Sequence, residues 1–263
     1  MRRSCATIGV FDGVHIGHQK ILSIIKEKAR ELAASSLAFI INYPMEYYKG
    51  NFTGLLTSPA VRSELLSEYV DEIRFLDLLE IRTLTPEKFF QEYILKSGVV
   101  LIAVGEDFRF GKNASGSVAT LSKLCQKNGV AFQCIPDVVD SSGKRISSTR
   151  IRSLLKAGRV HKAVELLGHS FAIDAVTKRV DVVEQGISIS LEIDPDLVKL
   201  PAGTYEIEMP WRSSILSGNL FVEEEIRITV PLFKPVSLGS LLYFHVKGEV
   251  NVDMKATLPR EDL

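Results

Sequence analysis

The 263-residue sequence predicts an α/β unit built on a parallel sheet, followed by a small antiparallel β-barrel. Three observations predict this. Up to Ile146, short apolar runs alternate with stretches of helical periodicity, the pattern of βαβ units. From Phe171 onward helical periodicity nearly disappears, and runs alternating apolar with polar residues take over, punctuated by Pro and Gly. Between them, SSTRIRSLLKAGRVHKAVELLGHSF reads as two short helices, stopped by Gly158 and Gly168. The expected parts are residues 1–158, a helical linker over 159–170, and a barrel over 171–263.

The elements follow in order. Cys5–Phe11 is a buried strand ending in Asp-Gly, and Ile21, Leu22, Ile25, Ala29, Leu32 and Ala33 then recur at helical spacing. LAFIIN (37–42) is a strand, and PAVRSELLSEY (59–69) opens a helix on a proline suited to its first turn. IRFLDL (73–78) is a strand, and TPEKFFQEYILKS (85–97) a helix with a Thr cap and Pro at its first position. VVLIAVG (99–105) has the clearest strand pattern, SVATLSKLCQKNG (117–129) is helical, and VAFQCIP (130–136) is a strand. Beyond Phe171 the expected strands are FAIDAVTKRVDVV, GISISLEI, TYEIEM, NLFVEEEIRITVPLF and LLYFHVKGEVNV.

Composition narrows the function classes. Apolar residues make up 46% and charged residues 24%, as in ordinary globular proteins. No apolar run approaches the ~20 residues a bilayer span needs, and the first apolar stretch breaks at Asp12, too early for a signal peptide. Three cysteines (Cys5, Cys125, Cys134) without CxxC spacing predict neither a disulfide framework nor a zinc site, and fit a reducing cytoplasm. Net charge is zero but unevenly placed. Residues 1–170 carry 23 Lys/Arg against 17 Asp/Glu, and residues 171–263 carry 9 against 15. A basic first part suits an anionic ligand. Its charge is too dilute for a nucleic-acid surface, which clusters Lys/Arg with aromatics. Solvated faces with a chance imbalance explain the same charge counts.

The chemistry concentrates in three stretches. GVFDGVHIGH places His15–His18 between a parallel strand's carboxyl end and a helix N-terminus, the edge where open α/β sheets bind ligands. Unpaired N–H groups there favour phosphate. Gly13 and Gly17 let the backbone approach a polyphosphate. His15 and His18 can donate hydrogen bonds to oxygens that gain charge in an in-line displacement. The bland alternative is that the two histidines cap a helix. No Walker loop or GxGxxG is present. The second stretch is ISSTRIR (146–152): hydroxyls opening a helix, with Arg150 and Arg152 following, fit a triphosphate clamp or a plain N-cap with solvated arginines. The third, VGEDFRFGKNASG (104–116), follows the clearest strand. Phe108 and Phe110 suit either anchoring of the loop in the core or contact with a planar ring, with Arg109 or Lys112 as phosphate partner.

Together GVFDGVHIGHQ, GEDFRFGKNASG and ISSTRIRSLLKAGRVHKAVELLGHSF resemble the N-terminal module of prokaryotic FAD synthetases, the bifunctional riboflavin kinase/FMN adenylyltransferases. The resemblance covers roughly residues 5–171. It implies a Rossmann-like, HIGH-type nucleotidyltransferase fold catalysing ATP + FMN → FAD + pyrophosphate with magnesium. By position it implies that His15 and His18 stabilise the α-phosphate transition state. Gly9, Phe11, Asp12, Gly13 and Gly17 would shape the ATP site, and Ser148, Thr149, Arg150 and Arg152 would hold its phosphates. Asp107 and Arg109 would lie near the flavin or the nucleotide, and Phe110 near the flavin. Where many members end the second strand in Pro-His-Pro, this chain reads INYPMEYY, so Tyr43, Tyr47 or Tyr48 offer aromatic surface to the flavin site. No carboxylate cluster has metal-ligand spacing, so magnesium is expected on substrate phosphates and water.

The second half departs further. Family members carry a GRxxGxPTAN string in a kinase barrel; here the region reads FAIDAVTKRVDVVEQGISISLEIDPD. LPAGTYEIEM and SLGSLLYFHVKG still resemble barrel strands, while the closing helical tail is expected to be absent. The expectation is an FMN adenylyltransferase whose riboflavin kinase activity is lost. A fully bifunctional enzyme, a non-catalytic flavin- or nucleotide-binding protein, and transfer onto another phosphorylated acceptor remain the alternatives.

Overall fold

The computed structural model describes residues 3–50, 52–184, 186–231 and 236–250. The α/β part comprises β1 (Ser4–Gly9), α1 (Ile16–Glu31), β2 (Ser35–Ile41), α2 (Met45–Tyr48), α3 (Pro59–Ser67), β3 (Glu72–Leu76), α4 (Leu78–Ile81), α5 (Pro86–Phe89), β4 (Val99–Gly105), β5 (Arg109–Phe110), β6 (Gly116–Ser117), α6 (Val118–Lys127) and β7 (Ala131–Ile135). Two helices follow, α7 (Ser148–Lys156) and α8 (Val160–Leu167). The barrel strands are β8 (Phe171–Val183), β9 (Gly186–Ile193), β10 (Gly203–Trp211), β11 (Ser214–Val222), β12 (Arg227–Val230) and β13 (Leu241–Glu249). Residues 251–263, the end of the expected barrel and the place of the expected missing tail, lie outside the described residues.

The five-stranded sheet runs β3-β2-β1-β4-β7 with every pairing parallel. The chain winds outward from β1 to β3 and returns on the other side with β4. The carboxyl ends of β1 and β4, at Gly9 and Gly105, therefore frame the switch point where open sheets bind ligands. Side chains from alternate strand positions enter separate cores on the two faces, one around Ile8, Phe39, Ile102 and Phe89, the other around Cys5, Ile25, Ala29 and Ala103.

The boundaries differ from the sequence reading for identifiable reasons. The first strand stops at Gly9 because Phe11 turns to φ 51°. The helix over 85–97 begins as expected, with Thr85 capping the Lys88 amide, but widens into a π-helical stretch at Phe90–Leu95. A wider turn carries Phe89 and Phe90, neighbours in sequence, onto one buried face. NLFVEEEIRITVPLF is not one strand: three consecutive exposed glutamates, Glu223–Glu225, interrupt the alternation and form the turn between β11 and β12.

The barrel closes in the order β10-β11-β12-β9-β8-β13. Its interior and the apolar faces of α7 and α8 form one core, which also takes in Leu56 and Ile146 from the α/β part. Main-chain bonds tie the two parts directly: the Leu55 amide donates to Asp196 O at 2.7 Å, and the Val198 amide to Leu55 O at 2.8 Å. Ser58 Oγ donates to Asp174 Oδ2 at 2.9 Å. No helix among the described residues is long and apolar enough to cross a membrane.

Candidate active site

A cleft of about 500 Å³ opens at the switch point. The turn between β1 and α1 forms its floor, and that turn is tightly constrained. Phe11, Gly13 and Val14 all take positive φ, at 51°, 77° and 37°. Positive φ costs non-glycine residues energy and persists only where surrounding contacts over-determine it. Asp12 supplies those contacts. It is 2% exposed, and its Oδ1 accepts from the amides of Leu56 (2.8 Å) and Thr57 (3.3 Å). Oδ2 accepts from Arg152 Nη2 at 2.7 Å. The Asp12 carbonyl accepts from Ser148 Oγ at 2.9 Å, joining the turn to α7. Burial pushes the Asp12 carboxyl up, and Arg152 pulls it back toward the ionised form.

His15 caps α1: its Nδ1 accepts from the His18 amide at 3.4 Å. With Nδ1 as acceptor, a neutral His15 carries its proton on Nε2 and can donate there. The His15 and His18 rings stack with centroids 3.6 Å apart, and Phe11 meets His18 edge-on at 5.1 Å. Gly17 leaves room for this stack: a Cβ there would lie 3.1 Å from His15 Cε1, so the ring would have to give by a few tenths of an ångström. Burial pushes His15 down to about 4, with Arg145 adding to it. Burial, the neighbouring His15 and Arg62 hold His18 well below the ordinary histidine value. Both imidazoles are neutral at pH 7.

This depression has a measurable consequence. The unfolded chain takes up the His15 proton near the ordinary histidine value of 6.5, whereas the folded protein does so only at about 4. Stability therefore falls as pH drops through 6.5 and stops falling from this source below about 4, an expected loss of about 3 kcal/mol. Denaturant melts from pH 7 to 4.5, compared between wild type and His15→Gln, measure it. A wild-type curve parallel to the variant's would contradict the burial argument.

The far wall is α7. Ser147 is its N-cap, accepting from the Arg150 amide at 3.3 Å, and Ser147, Ser148 and Thr149 face the cleft. Two helix N-termini, of α1 and α7, thus converge on one space, which favours an anion. At the rim Arg145 bridges Asp107 (2.5 Å) and Asp137 (2.9 Å).

The structure brings Gly9, Phe11, Asp12, His15, Gly17, His18, Ser148, Thr149 and Asp107 to the cleft. It places the others elsewhere. Gly13 lies beneath, against Leu56 and Leu167. Arg152 holds Asp12. Arg150 pairs with Asp140 and donates to the Lys144 and Arg145 carbonyls, closing the preceding loop. Arg109 is exposed on β5. Phe110 is buried against Phe89 and Phe108, so the core reading holds for it, while Phe108 reaches the cleft. Tyr43 and Tyr47 pack together at 4.3 Å, and Phe52 meets Tyr47, outside the lining.

Two arginines escaped the sequence reading. Arg145 precedes the ISST string directly, and its basic side chain beside a helix N-terminus was a usable signal. Arg62 is fully buried, and its guanidinium donates to Val10 O (3.0 Å) and Asn42 O (2.9 Å), tying together the chain beyond β1 and β2. Nothing in an apparently ordinary amphipathic helix marks it.

Comparison with known proteins identifies the fold and the family. A family model described as FAD synthetase matches residues 1–150. The chain is 30% identical over 222 residues to the FAD synthetase of Listeria monocytogenes, covering 79% of this chain and 82% of that one. It is 33% identical over 176 residues to the bifunctional riboflavin kinase/FMN adenylyltransferase of Pseudomonas fluorescens, covering 65% of this chain and 56% of that one. A crystal structure described as a macrolide-efflux protein from Streptococcus pneumoniae superposes with a TM-score of 0.82 at 21% identity, covering 95% of this chain and 86% of that one. That last likeness speaks to the fold alone. With its family match over the α/β part and its similarity to the Listeria enzyme across most of both chains, this protein belongs to the FAD synthetase family.

Proposed function

We propose that the chain transfers the adenylyl group of ATP to the phosphate of FMN, giving FAD and pyrophosphate. One observation carries the reading: two neutral, stacked imidazoles and two helix N-termini converge on a single cleft at the sheet's switch point. An FMN phosphate oxygen attacks the α-phosphorus, a new P–O bond forms, and the bond to the β-phosphate oxygen breaks. No side chain acts as nucleophile. His15 Nε2–H and the His18 ring donate to oxygens that gain charge in the transition state, and the anion raises their proton affinity as it forms. Gly9, Phe11, Asp12, Gly13 and Gly17 shape the nucleotide pocket. Ser148, Thr149 and Arg145 hold phosphates, and Asp107 and Phe108 lie on the flavin side. Arg150 and Arg152 act indirectly, by fixing the loop and Asp12. The reading assigns residues 1–158 to transfer, 159–170 to linking helices and 171–263 to the barrel.

The residues do not form a cage for a metal. Among the described residues no group of three His, Cys, Asp or Glu could hold an ion, and Asp12, Asp107 and Asp137 each face an arginine. Magnesium enters, in this reading, on the ATP phosphates and water, where it would neutralise phosphate charge.

We propose further that riboflavin kinase activity is absent. The segment from Phe171 to Asp196 lacks a Thr-Ala-Asn string to meet a second ATP. Parallel incubations with ATP and magnesium test both proposals. The expected outcome is FAD and pyrophosphate from FMN, with riboflavin untouched. FMN or ADP from riboflavin would refute the loss of the kinase.

A further inference from the structure

A second cavity, of about 370 Å³, lies at the mouth of the barrel. Its walls are apolar, formed chiefly by Phe171, Ile173, Leu197, Val198, Leu220 and Ile226. Protein interiors pack with few voids larger than a water molecule. Concave spaces of ~300–1,000 Å³, mostly apolar with a few placed polar groups, are the form that small-molecule sites take. The polar groups here sit at the rim and are mostly acidic: Asp194, Glu223 and Glu224 against Lys199. Glu223 shares its charge with Arg227 at 3.6 Å, whereas Asp194 and Glu224 have no cationic partner among the described residues. The surrounding segment is acidic as well, with 15 Asp/Glu against 9 Lys/Arg over residues 171–263. Such a mouth disfavours phosphates and carboxylates. It suits a ligand whose apolar body enters the barrel while an ammonium group stays at the rim.

The cavity shares a wall with the turn that shapes the cleft. Leu56 lines it and is 1% exposed. The Leu56 amide is the one that donates to Asp12 Oδ1 at 2.8 Å, and Leu56 Cδ1 packs so closely on Gly13 that a Cβ there would lie 2.7 Å away. Leu55, beside it, is bonded through its main chain to Asp196 and Val198, in the loop that contributes Leu197 and Val198 to the cavity lining. One continuous set of contacts thus runs from the barrel cavity to the Asp12–Gly13 turn.

We propose that the barrel cavity is a binding site for a small amphipathic cation, an aromatic or aliphatic body carrying an amine, and that filling it steadies Leu56 and with it the Asp12–Gly13 turn. The site is distinct from the cleft and does not depend on which acceptor the cleft serves.

Calorimetric titration of the full chain with tryptamine, tryptophol and indole-3-propionate tests this, because the three share an indole body and differ in head charge. Tryptamine is expected to bind about tenfold tighter than tryptophol, a difference of about 1.4 kcal/mol, and indole-3-propionate more weakly than either. Replacing both rim acids (Asp194→Asn with Glu224→Gln) should abolish the preference for the amine and keep binding of the neutral indole. Ile226→Trp, at a partly exposed position on the rim, should plug the mouth and abolish binding of all three, with Val222→Trp as a second plug should the first not fold. Hydrogen exchange at the Leu56 and Thr57 amides should slow when tryptamine saturates the wild type. Equal affinity for the three heads, binding that survives the plugs, absence of binding, or displacement of tryptamine by riboflavin would each overturn the assigned ligand class. Unchanged exchange at Leu56 and Thr57 on saturation would overturn the coupling. None of these readouts requires FAD synthesis, so failure here and failure of the proposed adenylyl transfer are separable.

Discussion

Replacing His15 or His18 by alanine is expected to lower the rate of FAD formation by about 10²–10³-fold, the usual cost of removing one preorganised donor to developing charge. The loss should fall on kcat rather than on the KM for ATP, because the geometry assigns the rings to charge that appears only in the transition state. The two variants should not be additive. The rings stack at 3.6 Å, and the His15 Nδ1 holds the His18 amide, so removing His15 also loosens His18. His15→Gln, whose longer side chain can bring an amide N–H to the place of Nε2, should lose less than His15→Ala. Steady-state rates together with near-ultraviolet spectra of the folded variants provide the check. Near-normal rates in both alanine variants would remove the histidines from the chemistry.

Replacing Asp12 by alanine is expected to have the largest effect on stability, about 3–5 kcal/mol, the cost of breaking a buried ion pair from one side. The substitution strands the Arg152 guanidinium, which is 14% exposed, together with the Leu56 and Thr57 amides. Arg152→Met strands the carboxylate and should cost a comparable amount. The double variant should cost clearly less than the two singles combined, because neither partner is then left charged and alone. Chemical denaturation of the four proteins measures the coupling. Independent effects would mean that Asp12 is held by its amides rather than by Arg152. Activity should fall with Asp12→Ala as well, since the positive φ of Phe11, Gly13 and Val14 depends on the contacts Asp12 makes.

The sequence made the scaffold legible where period and punctuation agree. VVLIAVG matches β4 residue for residue, FAIDAVTKRVDVV matches β8, and Gly168 ends α8 in the left-handed conformation that glycine favours. The DGVHIGH string could be placed at a strand-to-helix turn because its glycines and histidines have roles only there. Side-chain direction was harder to read. In ISSTRIR the hydroxyls do face the cleft, yet Arg150 and Arg152 turn to Asp140 and Asp12, partners 10 and 140 residues away in the chain. Phe110 carried the same aromatic signal as Phe108, and only the packing of Phe89 and Gly116 around its ring decides that it is core. Arg62 was invisible because its partners are backbone carbonyls at Val10 and Asn42, which any residue would supply. Long-range contacts decide these cases, and local pattern holds no record of them.

Incubating the protein with FMN, magnesium and ATP labelled at the α-phosphorus separates adenylyl transfer from phosphoryl transfer. The label is expected to enter FAD in step with release of unlabelled pyrophosphate, and His15→Ala and His18→Ala are expected to suppress both together. Label recovered in ADP, with the γ-phosphate transferred to a flavin, would rule out adenylyl transfer in the cleft.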